Sequence, residues 1–113
     1  MAIDKSLISG NTTLLLLSLL EEKDMYGYEM IENLRKKSNH IFDLKAGTLY
    51  PLLHGLEDKH FVISYEEAAG GKLRKYYSLT TGGRSYLRDK KKEWQEYSDA
   101  VNNVLGGVGF EGI

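Results

Sequence analysis

The sequence predicts a mainly α-helical domain that carries one small β-hairpin and ends in a long helix. Three observations predict it. Stretches with helical apolar spacing occupy the chain ahead of residue 60. Two short aromatic and branched segments then flank a polar stretch containing Gly70 and Gly71. Beyond residue 80, apolar positions recur three and four apart.

Composition narrows the class. The chain has 113 residues, 42% hydrophobic and 27% charged, which suits one ordinary globular domain. Cysteine is absent, which excludes disulfides, thiolate nucleophiles and cysteine-built zinc sites. The run Leu14–Leu17, even extended to Leu20, is too short to span a bilayer. Acidic residues follow it directly, with no cleavage pattern of small residues, so a cytoplasmic protein without a membrane partner is expected. The formal net charge is -1, yet Lys72 to Lys92 holds eight Lys or Arg against one Asp. A local positive field of that kind suits phosphate contact whatever the total charge.

The elements follow in order. Residues 1–9 read as a short arm, and Ser9 or Asn11 as the cap of a first helix ending near Glu22. TLLLLSLL is apolar around most of its circumference and belongs in a core. Glu22, Lys23 and Asp24 form a turn. A second helix is expected from Tyr26 to Ser38, with Tyr28, Ile31 and Leu34 as its apolar stripe. Ile41 to Leu44 reads as a brief extended piece. The third helix is AGTLYPLLHGLED, Ala46 to Asp58. Phe61 to Tyr65 and Leu73 to Leu79 read as paired strands around a loop over residues 66–72. Thr80 or Thr81 caps a last helix running to about Leu105, with Gly82 and Gly83 loosening its first turn and the tail fraying. Three helices, a hairpin and a further helix make the winged helix-turn-helix plan. The expected division is 1–79 for the winged unit and 80–113 for a joining helix with a flexible tail.

The third helix has two unlike sides. Leu49, Leu52, Leu53 and Leu56 fall in one arc and should be buried. Gly47, Pro51, His54 and Asp58 project opposite, with Thr48 and Tyr50 flanking them. Proline in a helix interior costs about 3 kcal/mol. Two glycines and a proline suit close approach of another surface, and a DNA major groove admits a helix. Thr48 and Tyr50 are then candidates for base contact, and Lys45 with the first amides of the helix for phosphate. The competing reading is a surface helix with a tolerated proline.

Lys72, Arg74 and Lys75 make the returning strand basic, with Arg74 and Tyr76 on one face and Lys75 and Tyr77 on the other. In the last helix Leu87, Trp94, Tyr97, Val101, Val104 and Val108 form a heptad-like seam broken at Lys90. Pairing of two copies through it is expected, against the alternative of folding back on the chain's own first helix. Trp94 also offers a face for a flat aromatic effector.

No enzyme constellation is present. His40, His54 and His60 lack metal-ligand spacing, and no metal or cofactor is implied. Gly70 and Gly71 lack the strand and helix context of a phosphate loop.

MYGYEM at Met25–Met30, AGTLYPLLHGLED at Ala46–Asp58 and KLRKYYSLTTGG at Lys72–Gly83 together resemble the PadR family of bacterial transcriptional regulators, in its small branch with a single terminal helix. The resemblance implies a homodimeric winged-helix protein that binds double-stranded DNA, usually as a repressor. It implies a recognition helix over Gly47, Thr48, Leu49 and Tyr50, a preceding helix opened by Tyr26 and Gly27, and a basic wing at Lys72, Arg74 and Lys75. Trp94 matches the tryptophan that stacks planar compounds in the multidrug-sensing branch. The chain departs from the family at His60, where a glycine is usual before the first wing strand. The readings from other classes are a winged-helix interaction dimer and a small-molecule carrier, neither binding DNA.

Overall fold

The first helix, α1 (Lys5–Glu22), supplies the spine of the core. Leu16, Leu17, Leu19 and Leu20 are all buried, in keeping with a segment apolar on most sides. The computed structural model describes the backbone of residues 5–106 and the side chains of residues 11–106. After α1 come β1 (Met25–Tyr26), α2 (Gly27–Lys37), α3 (Ala46–Asp58), β2 (Val62–Ala69), β3 (Lys72–Leu79) and α4 (Thr81–Val104). The three strands form an antiparallel sheet in the order β1-β3-β2. This is the winged helix-turn-helix architecture that the pattern predicts. Among the described residues no helix is long and apolar enough to cross a membrane.

Several boundaries differ from expectation. The helix expected to start at Ser9 or Asn11 begins at Lys5. Once nucleated, a helix gains a hydrogen bond per added residue, and no proline precedes position 51 to stop it. The inward stripe of α2 is Gly27, Met30, Ile31 and Leu34, while Tyr28 is 65% exposed. Ile41 to Leu44 is not a strand, since no neighbouring strand is there to pair with it. Its Phe42 and Leu44 instead lean on the core. Residues 66–69, expected in a loop, continue β2, so that only Gly70 and Gly71 turn the hairpin. Both glycines have positive φ, +59° and +79°, as a tight turn between twisted strands requires.

The exit from α3 is a crowded junction. His60 has φ +61°, where a glycine would be relaxed. Thr80 donates its amide to the Phe61 carbonyl (3.1 Å) and its hydroxyl to the His60 carbonyl (2.7 Å). The same hydroxyl accepts from the Gly83 amide at 2.9 Å, capping α4. Gly83 is buried; a Cβ there would collide with the Phe61 carbonyl and stand 2.8 Å from Leu79 Cδ1. The glycine pair was expected to loosen the start of α4, but Gly83 is what lets α4 dock.

Gly83→Ala is expected to lower the unfolding free energy by about 1–3 kcal/mol through overpacking, and Thr80→Ala by about 1 kcal/mol through loss of the cap. Gly82→Ala, whose methyl would meet only ordinary contacts, should be neutral or stabilising. Urea denaturation of the three variants checks all of this.

Candidate nucleic-acid interface

The third helix presents its two sides as the spacing predicts. Leu49, Leu53 and Leu56 are buried and Leu52 is half-buried, while Gly47, Thr48, Pro51, His54 and Asp58 are exposed. Pro51 is the sixth residue of a thirteen-residue helix, so its cost is not relieved by a place in the first turn. The amide it lacks would have bonded the Gly47 carbonyl. A Cβ at Gly47 or at Gly55 would meet nothing within 4 Å. The chain's own packing therefore requires neither glycine.

Gly27 is the contrasting case. A Cβ there would stand 2.7 Å from Tyr50 Cζ, because the Tyr50 ring lies back across the first turn of α2. Tyr50 was expected to present its ring and hydroxyl outward. It is half-buried and instead locks the two motif helices together. Its burial was not visible from spacing, since it depends on the bare backbone of a residue 23 positions earlier.

Lys45 is the N-cap of α3, and no side chain caps the helix. Its carbonyl accepts from Thr48 and Leu49 at 3.0 and 2.9 Å. The Lys45 ammonium meets Asp43 at 3.2 Å, both exposed, a contact that water and salt readily exchange.

The hairpin divides its basic residues between two faces. Ser64 donates to Glu57 at 2.7 Å and ties β2 to the last turn of α3. On that inner face Lys75 is exposed, with its ammonium 5.6 Å from the ring centre of buried Tyr77. Burial pushes the Tyr77 phenol up from its ordinary pKa. On the outer face Arg74 is half-buried, its guanidinium 4.3 Å above the Tyr26 ring. Glu66 and Glu67, read from sequence as loop residues, stand opposite Lys75 and Arg74 in the strand register. Lys72 is exposed at the turn end.

Helix α4 starts in the core and leaves it. Leu87 is 0% exposed within its own chain, which corrects its assignment to a surface between copies. It belongs to the buried core cluster instead. Lys91 meets Glu21 of α1 at 2.6 Å. Farther along, Trp94, Tyr97 and Val104 are 44%, 63% and 86% exposed, and Val101 is half-buried. Trp94 and Tyr97 are tilted neighbours, 6.1 Å between ring centres. With Leu14 and Thr13 of α1 they line an open groove of about 810 Å³. At its edge Lys90 contacts Glu93 at 3.1 Å, and the carboxylate raises the Lys90 pKa. Val108, the last member of the expected seam, lies outside the described residues.

The model of the transcriptional regulator PadR-like family matches residues 16–89. The chain belongs to this family. Its members are transcriptional regulators rather than enzymes. A solved transcriptional regulator from Clostridium thermocellum is 35% identical, with a TM-score of 0.79 over 87% of this chain and 96% of that one. A PadR family transcription regulator from Clostridium difficile is 38% identical, with a TM-score of 0.77 over 84% and 98%. A transcriptional regulator of Mycobacterium tuberculosis is 34% identical over 70 residues, 62% of this chain and 63% of that one.

In this PadR-like chain, then, Lys45, Gly47, Thr48, Pro51 and His54 share one exposed surface of the motif, and Tyr50 is turned away from it. Lys72 and Lys75 are exposed on the wing, Lys75 with its ammonium near the Tyr77 ring, whereas Arg74 is half-buried against Tyr26. Tyr26 was read from sequence only as the opening of α2. No local sequence signal marks its second role, because β1 is two residues long and is held only by pairing with β3.

Proposed function

We propose that the chain is a homodimeric repressor that places α3 in the major groove of double-stranded operator DNA. The single observation that carries this reading is the bare outer side of α3. Gly47 and Gly55 each cost up to about 1 kcal/mol relative to alanine in a helix, and Pro51 more, yet packing within the chain demands neither glycine and Pro51 is exposed. Close approach by an external surface gives them a use. In that pose Thr48 and His54 meet base edges, and Lys45 with the amides of Ala46 and Gly47 meets phosphate. Lys72 and Lys75 extend the contact along the backbone.

Residues 1–79 then bind DNA and residues 80–113 join two copies. The support for a dimer is the distal half of α4, where Trp94, Tyr97, Val101 and Val104 leave an apolar stripe largely in solvent. Two-fold pairing is the commonest way to cover such a stripe, and it sets two recognition helices against half-sites about 34–36 Å apart. The groove beside Trp94 has a volume within the usual range for small-molecule sites, roughly 300–1,000 Å³. A planar aromatic effector stacked there is the natural releasing signal.

Five outcomes are expected. The chain binds the DNA upstream of its own gene with an affinity that falls steeply with salt, and Lys75→Ala flattens the slope of log K against log salt by about 0.9. Thr48→Val changes the preferred sequence by about 1–3 kcal/mol at one position of each half-site, read by selection of bound DNA. A salt-independent affinity would remove the DNA reading.

Val101→Glu together with Val104→Glu yields monomers in sedimentation and weakens operator binding. Dimers that persist unchanged place the joining surface elsewhere. Titration with planar aromatic dyes quenches Trp94 fluorescence and releases the operator; no response across a broad panel counts against the effector.

A further inference from the structure

The outer face of the sheet carries three tyrosines in one row. Tyr26 of β1 is the register partner of Tyr76 of β3, and Tyr76 is the partner of Tyr65 of β2. Tyr26 and Tyr76 meet edge to face, 5.5 Å between ring centres. Tyr65 and Tyr76 stack at 5.8 Å and 13°. The row is closed at both ends. Tyr65 donates its hydroxyl to Asp24 at 2.6 Å, a bond that holds the phenol pKa up at about 12. At the other end the Arg74 guanidinium covers Tyr26 at 4.3 Å, well inside the range of a cation–π contact.

The row joins parts that the hairpin turn alone would leave loosely related. Tyr26 is at once a residue of β1 and the N-cap of α2. Tyr65 and Tyr76 belong to the two arms of the wing. Asp24 sits in the turn that leads out of α1. Strand β1 is only two residues long, so two ladder positions alone connect the wing to the entry of α2.

We propose that Arg74 is a positioning residue of the wing, clamping β3 to the entry of α2 through Tyr26, and that Lys72 and Lys75 carry the wing's contact with phosphate. The inference rests on the DNA-binding reading for its second half; the clamp stands without it. An arginine that reached for phosphate from here would uncover the Tyr26 ring and give up its stacking partner. Lys75, on the opposite face, is exposed on a flexible stem opposite Glu66, and its ammonium is 5.6 Å from the Tyr77 ring centre, a looser hold than the 4.3 Å contact of half-buried Arg74. Lys72 is opposite Ala69, with no charge facing it across the ladder.

Two measurements test the proposal on the full chain. In the first, binding to a duplex of the upstream DNA is followed against salt for the natural chain and for K72A, K75A and R74A. The two lysine variants each flatten the slope by about 0.9, as expected for one lost phosphate contact. R74A lowers affinity severalfold at every salt concentration and leaves the slope unchanged. Y26L produces the same parallel loss, and R74A adds nothing further in the Y26L background. A slope loss of about 0.9 for R74A, or a full additional loss in the Y26L background, overturns the proposal. In the second, amide hydrogen exchange is measured without DNA. R74A speeds exchange of the β1–β3 and hairpin amides several-fold and K75A does not. Unchanged exchange in R74A overturns the clamp even if the natural chain proves to bind no DNA, so the two readings fail separately.

Discussion

The geometry of the molecule depends on one backbone crossing, where the carbonyls of His60 and Phe61 meet Thr80 and Gly83. The exit of α3, the base of the hairpin and the first turn of α4 converge there within a few atoms. His60 holds a left-handed conformation that costs a non-glycine residue of order 1–2 kcal/mol. Such a conformation persists only where its surroundings over-determine it. The amide and hydroxyl of Thr80 do so from one side, and the close docking of α4 does so from the other. The consequence is that α4 cannot turn relative to α3 without breaking a cap, a backbone hydrogen bond and a packed contact together.

The glycines separate structural from functional demands. Gly27 and Gly83 are each buried against an atom that leaves no space for a methyl group. Their conservation of space belongs to folding: one admits the Tyr50 ring, the other the Phe61 backbone. Gly47 and Gly55 face open space, so no contact within the chain accounts for them. Both kinds look identical in the sequence. Only the neighbouring atoms distinguish a glycine needed by the fold from one whose smoothness is turned outward.

Much of this was legible beforehand, for a physical reason in each case. The leucines at 49, 53 and 56 declared the inner side of α3 because helical spacing is local. The hairpin was legible in position but not in extent. Glu66 to Ala69 have weak strand preference, and their conformation is imposed by the two-glycine turn and by pairing with residues 72–75. Strand β1 left no local trace at all, being two residues stabilised only by β3. Leu87 was assigned outward because its heptad spacing to Trp94 is regular. Spacing reports which residues share a face; it cannot report where along a helix that face leaves the chain's own core.

That change of environment along α4 bears on control. In the proposed dimer, Gly83 marks the fixed joint and Trp94 the first broadly exposed member of the seam. They are eleven residues apart, a lever of about 16 Å. Because α4 is locked to α3 at the joint, a ligand at Trp94 has little means of bending the chain between them. The proposed effector would act instead by altering how two α4 helices cross. A tilt of roughly 10° over that lever moves the joint by about 3 Å, close to one base-pair step of about 3.4 Å. The two recognition helices would then fall out of phase with successive turns of the duplex, so in the proposed dimer a small change at the aromatic groove would release DNA only because the crossing at Phe61 does not yield.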